Sequence, residues 1–167
     1  MDTRTEQPRD ILWRLVKDIK FSMFTTRHSN GHLHARPMTT QNKSMDDQDL
    51  LWFFISKKGG TVADLRADAS VNITYADPGK DAYVSVSGEA TVVDDIAKKT
   101  ALWTAFSKPW FPDGPEDADL ALVQVKIIHA HYWDVKDSKI VQLYEMAKAT
   151  FTGKPPKNMG TNGEVRM

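Results

Sequence analysis

The chain contains no cysteine, which excludes a disulfide framework, a thiolate nucleophile and a cysteine-ligated zinc. It also lacks long apolar runs. None approaches the roughly 18 residues that a helix needs to cross a bilayer, so no membrane partner is expected. The opening MDTRTEQPRDILWRLV mixes acids among its bases and has no apolar signal-peptide core, and the expected location is cytoplasmic. Net charge is missing as well. The 22 basic and 22 acidic residues cancel, leaving no broad electrostatic footprint for nucleic acid or an anionic membrane. Neither GxGxxG nor GxxxxGK[ST] occurs, which argues against a Rossmann or P-loop nucleotide site. HExxH and GxSxG are absent too.

What is present suits one domain over residues 1–167, long enough to bury a hydrophobic core. The aromatic share is 10% with five tryptophans, which points to a rich core or to stacking surfaces. Residues 8–20 read as a helix: Ile11, Leu12, Leu15, Val16 and Ile19 form one apolar stripe, and Pro8 sits where a missing N–H costs little. Phe21 to His28 and His32 to Gln41 read as a hairpin around Ser29-Asn30-Gly31. Leu51 to Ser56 is a short apolar strand, Thr61 to Asp68 a short helix, and Ser70 to Ala76 another strand.

Asp81 to Val93 alternates, with Tyr83, Ser85 and Ser87 on one face and Val84 and Val86 on the other. Gly88 within it marks a bulge or a close approach by another backbone. Asp94 is the expected N-cap of a helix through Phe106. Residues 110–115 make an aromatic-rich loop, and Leu120 to Val135 returns to strand. Ile140 to Ala149 fits a short strand or helix, and the chain from Phe151 onward reads as a loop-like tail rich in Gly, Pro and Asn. The sum is a mainly β chain: a six-stranded antiparallel barrel over about residues 21–135 with peripheral helices, followed by a C-terminal segment over residues 136–167.

Five motifs fall in a telling order: HARPM (His34 to Met38), LWFFISK (Leu51 to Lys57), DAYVSVSGEA (Asp81 to Ala90), WFPDGPED (Trp110 to Asp117) and HYWD (His131 to Asp134). With TGKPPKNMG at residues 152–160, they resemble the general stress protein group of the pyridoxamine 5′-phosphate oxidase-like, FMN-binding split barrels. The resemblance covers residues 8–160. It implies a split barrel that forms a homodimer, with flavin sites in clefts between the subunits. FMN is the implied cofactor and FAD the alternative.

Carried over position by position, the resemblance makes Arg36 the phosphate anchor; a guanidinium fork suits phosphate bidentately. Ala35, Pro37, Met38 and Thr39 would run along the flavin. Phe54, Ile55 and Ser56 would offer backbone groups to the ring and a hydroxyl to the ribityl chain or phosphate, and Lys57 a further positive charge. Relatives place basic residues at the start of the following helix, where this chain has Gly60 and Thr61; Thr61 can still donate a hydroxyl hydrogen bond. Gln41 stands where the oxidases carry lysine. Trp110 and Trp133, with Phe111 and Tyr132, are candidates for an aromatic wall given by the partner subunit, or for core and interface packing.

The function implied is a stress-related FMN-binding protein. It is either an oxidoreductase drawing on NAD(P)H, though not a pyridoxamine 5′-phosphate oxidase, or a flavin binder or sensor without turnover. A dimeric scaffold whose cleft has lost flavin is the remaining class. No residue stands out as a catalytic acid or base. His32 with His34 and His129 with His131 share strand faces, and solvated or hydrogen-bonded imidazoles are a better reading of them than a metal site.

Overall fold

A computed structural model describes residues 6–44, 49–135, 139–155 and 160–167. Asp46, Asp47 and residues 156–159 of the tail lie outside the described residues. The elements run α1 (Pro8–Ile19), β1 (Phe21–Arg27), β2 (Leu33–Thr39), β3 (Leu50–Ser56), α2 (Thr61–Ala67), β4 (Ser70–Asp77), β5 (Ala82–Val93), α3 (Ile96–Leu102), β6 (Leu120–Asp134), α4 (Lys139–Thr152) and β7 (Thr161–Arg166). Single 3-10 turns at Ala105–Ser107 and Gly114–Glu116 shape the loop between α3 and β6.

Antiparallel pairing puts six strands in the order β2-β1-β4-β5-β6-β3. A bridge between Thr40 and Phe53 then brings the end of β2 to β3, so the two outer strands meet and the sheet curls into a split barrel. β6 is the longest strand, with β5 along one edge. Its other edge is shared: Leu120 to Lys126 pair with β3, and His129 to Asp134 pair with β7.

The core follows the alternation. Leu51, Phe53 and Ile55 of β3 face the same buried cluster as Phe24, Ile73, Val84, Val86 and Val123. Leu50 and Trp52 face the other way onto Leu102 of α3. α1 adds its predicted stripe, with Ile11, Leu12, Leu15 and Val16 buried in the barrel cluster. Arg14 of that helix donates to Asp134 at the end of β6 at 2.8 Å and so ties the helix to the sheet.

Three expectations are corrected. The N-cap of α3 is Asp95 rather than Asp94, its carboxylate accepting from the Lys98 N–H at 2.9 Å. That helix stops at Leu102, where Trp103 turns extended, and a 3-10 turn takes over before Phe106. The tail is not all loop: α4 runs through Thr152, and residues Thr161–Arg166 form a seventh strand. Asn and Gly disfavour a strand locally, but here tertiary contacts decide. Val165 is buried in the barrel cluster, Glu164 meets His129, and Gly163 leaves room for the Tyr132 ring pressed against it.

Candidate functional site

Arg36 stands opposite Phe24 of β1, on the same face of β2 as Met38, which packs against the core. Its side chain is 23% exposed. Nη1 donates to Thr26 Oγ1 at 2.9 Å, and the Thr26 hydroxyl donates in turn to Asp64 Oδ2 at 3.0 Å. Nη2 lies 3.7 Å from that same oxygen, an ion pair longer than a hydrogen bond. The other carboxylate oxygen of Asp64 meets His28 Nδ1 at 2.8 Å.

Local structure explains the meeting. Ser22, Phe24 and Thr26 are the buried, inward-facing residues of β1. Asp64 lies on the buried face of α2 with Thr61 and Leu65, and the helix packs on β1. Burial pushes the Asp64 carboxyl up, but hydrogen bonds from His28 and Thr26 and the charges of His28 and Arg36 outweigh it and hold it below the usual carboxylate range. Burial lowers Arg36 from the ordinary arginine value and Asp64 acts against that shift.

The other predicted residues fall into groups. Ala35, Pro37 and Thr39 alternate onto the face of β2 opposite Arg36. Thr61 opens α2, and Asp64, whose N–H donates to the Gly60 carbonyl, sits one turn further on. Arg36 and Thr61 therefore belong to one neighbourhood. On β3, the Phe54 ring turns to Trp103 at 6.0 Å between centroids, while the Ile55 side chain is buried in the core. Ser56 Oγ donates to Asp119 Oδ2 at 2.6 Å and accepts from the Lys58 N–H at 3.2 Å, and the Lys57 N–H donates to the Asp119 carbonyl. The Lys57 side chain is exposed.

Trp110 is 65% exposed and 6.0 Å from Phe106, which in turn lies 6.4 Å from Phe21. Phe21 pairs with Thr39, so Trp110 stands toward the Thr39 end of β2. Trp133 stacks on His131 at 5.2 Å on the outer face of β6, separated from β2 by β1, β4 and β5 along the sheet. Tyr132 and Phe111 are buried, which leaves Trp110 and Trp133 as the exposed aromatics of the four.

The rings of His129 and His131 lie 5.7 Å apart. His34 stacks on His28, and His129 bonds Glu164 at 2.5 Å. Among the described residues no group of three or more metal-ligating side chains converges.

Sequence reasoning missed Thr26, His28, Asp64 and Asp119. Asp64 did leave a trace: it interrupts the apolar face of a short helix between Val62 and Leu65. An acid there needs a partner, and Arg36 on the neighbouring hairpin supplies the charge.

The donor set fits a phosphate at Arg36. Among the described residues, one of the five guanidinium N–H groups is engaged, by Thr26. The rest remain to donate to an anion. Ser56 fits less well, because its hydroxyl is already held by Asp119.

The sequence model of the family described as "Pyridoxamine 5′-phosphate oxidase like" matches residues 7–157. Protein bli-3 of Neurospora crassa is 32% identical over 145 residues, covering 81% of this chain and 69% of bli-3. A solved general stress protein 26 from Jannaschia sp. CCS1 superposes with a TM-score of 0.70 at 22% identity, covering 93% of this chain and 96% of that one. The general stress FMN/FAD binding protein of Xanthomonas citri gives a TM-score of 0.68 at 28% identity, covering 80% and 93%.

Proposed function

Because the chain belongs to the pyridoxamine 5′-phosphate oxidase-like family, we propose that it is a general stress-type flavin protein that holds FMN by its phosphate at Arg36. The observation that carries this reading is the part-buried guanidinium of Arg36, with one N–H hydrogen-bonded to Thr26 and Nη2 paired with Asp64 only at 3.7 Å, so that its other N–H groups make no hydrogen bond among the described residues. The 28% identical Xanthomonas citri protein, described as FMN/FAD binding, supports the choice of ligand.

In this reading Thr61 adds a hydroxyl at the phosphate and Lys57 a positive charge. Ala35, Pro37, Met38 and Thr39 line the flavin through the backbone of β2. Phe54, Ile55 and Ser56 contribute backbone groups, and Trp110 closes the ring end. Trp133 comes from the second subunit of a homodimer. That assembly has a physical motive in the exposed Phe21, Met23, Tyr83 and Trp133 on the outer sheet face. When bound, the flavin supplies hydride or electron transfer, with NAD(P)H as donor, and the chain binds, orients and shields it. The cytosol is the compartment proposed for this chemistry.

A second reading is that flavin is bound and stored without turnover. Calorimetric titration with FMN, FAD and riboflavin tests the site. FMN binding that Arg36→Ala weakens tenfold or more is expected, and wild-type protein that binds no flavin overturns the proposal. Reduction of the bound flavin by NAD(P)H then separates the oxidoreductase from the store.

A further inference from the structure

We propose that His28 is a second phosphate ligand of the flavin site and that Asp64 is the residue that positions it; this rests on the flavin reading of Arg36. His28 follows β1 directly, and the resemblance that assigned the other site residues gives it no part.

The geometry brings His28 and Arg36 to one point from two strands. His28 Nδ1 takes one oxygen of Asp64 at 2.8 Å, and Arg36 Nη2 lies 3.7 Å from the other. Asp64 is 4% exposed, so its carboxylate is a fixed post rather than a mobile surface group. Nδ1 facing a carboxylate makes that nitrogen the donor and leaves Nε2, which has no partner among the described residues. The His34 ring stacks on His28 at 5.0 Å and 8°, which fixes the plane in which Nε2 points. With its side chain 38% exposed, the ring remains open to a ligand.

Charge explains why a second ligand is needed. Arg36 and Asp64 cancel, and the start of α2 adds no cation, since it reads Gly60-Thr61. With His28 neutral the cluster carries no net charge to draw a phosphate. The imidazolium form of His28 donates from Nε2 and makes the cluster positive. Against the ring stand Asp64 from α2 and the stacked His34 from β2, with Arg36 at the other oxygen of Asp64.

The test compares FMN with riboflavin, which shares the ring and ribityl chain but lacks the phosphate. Wild-type protein is expected to prefer FMN, and His28→Gln to lose about tenfold of that preference, the scale of one charged hydrogen bond, with riboflavin affinity unchanged. Unchanged riboflavin affinity also reports that the variant is folded, and His28→Asn serves in its place where the glutamine variant does not fold. Full FMN preference in a folded His28→Gln or His28→Asn overturns the role of His28 and leaves the flavin reading standing. A wild type that binds FMN no better than riboflavin overturns the phosphate anchor and this inference together.

Discussion

The backbone of Gly88 lies against the carbonyl of Lys126, so close that a Cβ at position 88 would stand 2.4 Å from that oxygen. The contact sits where the β5–β6 register shifts: Ser87 pairs with His129 and Gly88 with Ile127, which leaves Ile128 as the extra residue of a bulge. Backbone is what a new methyl group would meet, and backbone cannot rotate away. Gly88→Ala is therefore expected to destabilise the fold by about 1–3 kcal/mol, the cost of overpacking. Urea unfolding followed by tryptophan fluorescence measures this, through a lower midpoint at unchanged slope. An unchanged midpoint would mean that the bulge yields.

Gly88 also shows how far sequence reaches. A glycine inside an alternating strand is a local signal, and both meanings it carried, bulge and close backbone approach, are present. The apolar stripe of α1 and the alternation of β5 are local in the same sense, and both are as expected. The strand at Thr161–Arg166 is not local. It depends on an open edge of β6 beyond the reach of β3, which only the closed sheet creates. The site divides likewise. Arg36 stands out in a motif, while Thr26, His28 and Asp64 do not, because alternation on β1 and the packing of α2 together bring them under it.

A fork and a point charge differ at position 36. Arg36→Lys keeps the charge but loses the planar set of donors that can reach Thr26 and a phosphate together. FMN affinity is expected to fall by about tenfold, and riboflavin affinity to stay. Titration calorimetry with both ligands checks this. A lysine variant that matches the wild type would show that charge alone recruits the phosphate.

Asp64 links stability to acid. Its folded carboxyl titrates below the usual range, so the folded state binds its proton less readily than the unfolded chain does. The resulting stabilisation is complete above the ordinary carboxylate value of about 4 and is lost as pH falls through the lower folded value. Asp64→Asn should be less stable than the wild type at neutral pH, with a shallower acid limb and a gap that narrows on acidification. Asp68, Asp119 and Glu164 are also held low, and their contribution is common to both proteins. Urea midpoints measured down the acid range decide the matter, and parallel curves would sever Asp64 from the linkage.

At the seam where β2 reaches β3, Thr40 Oγ1 lies 2.7 Å from the Tyr75 hydroxyl, and both residues are buried. Thr40 is the residue that bridges to Phe53, and its N–H donates to the Lys20 carbonyl, so the hydroxyl pair braces the only contact in the described residues that closes the curled sheet by strand pairing. Burial pushes the Tyr75 phenol well above its ordinary value, and hydrogen bonds from Thr40 and Ser22 offset part of that shift. Tyr75→Phe leaves the Thr40 hydroxyl buried without this partner, at a cost of about 1–3 kcal/mol. Thr40→Val removes the other half and strands the phenol less severely, because Ser22 remains beside it. The double variant removes both groups, so its cost should be smaller than the sum, with a coupling of about 0.5–3 kcal/mol. A thermodynamic cycle of urea unfolding on the four proteins reads that coupling directly. Additive costs would show that the two hydroxyls act independently and that the seam is held by the Thr40–Phe53 bridge and the apolar packing of Phe53 alone.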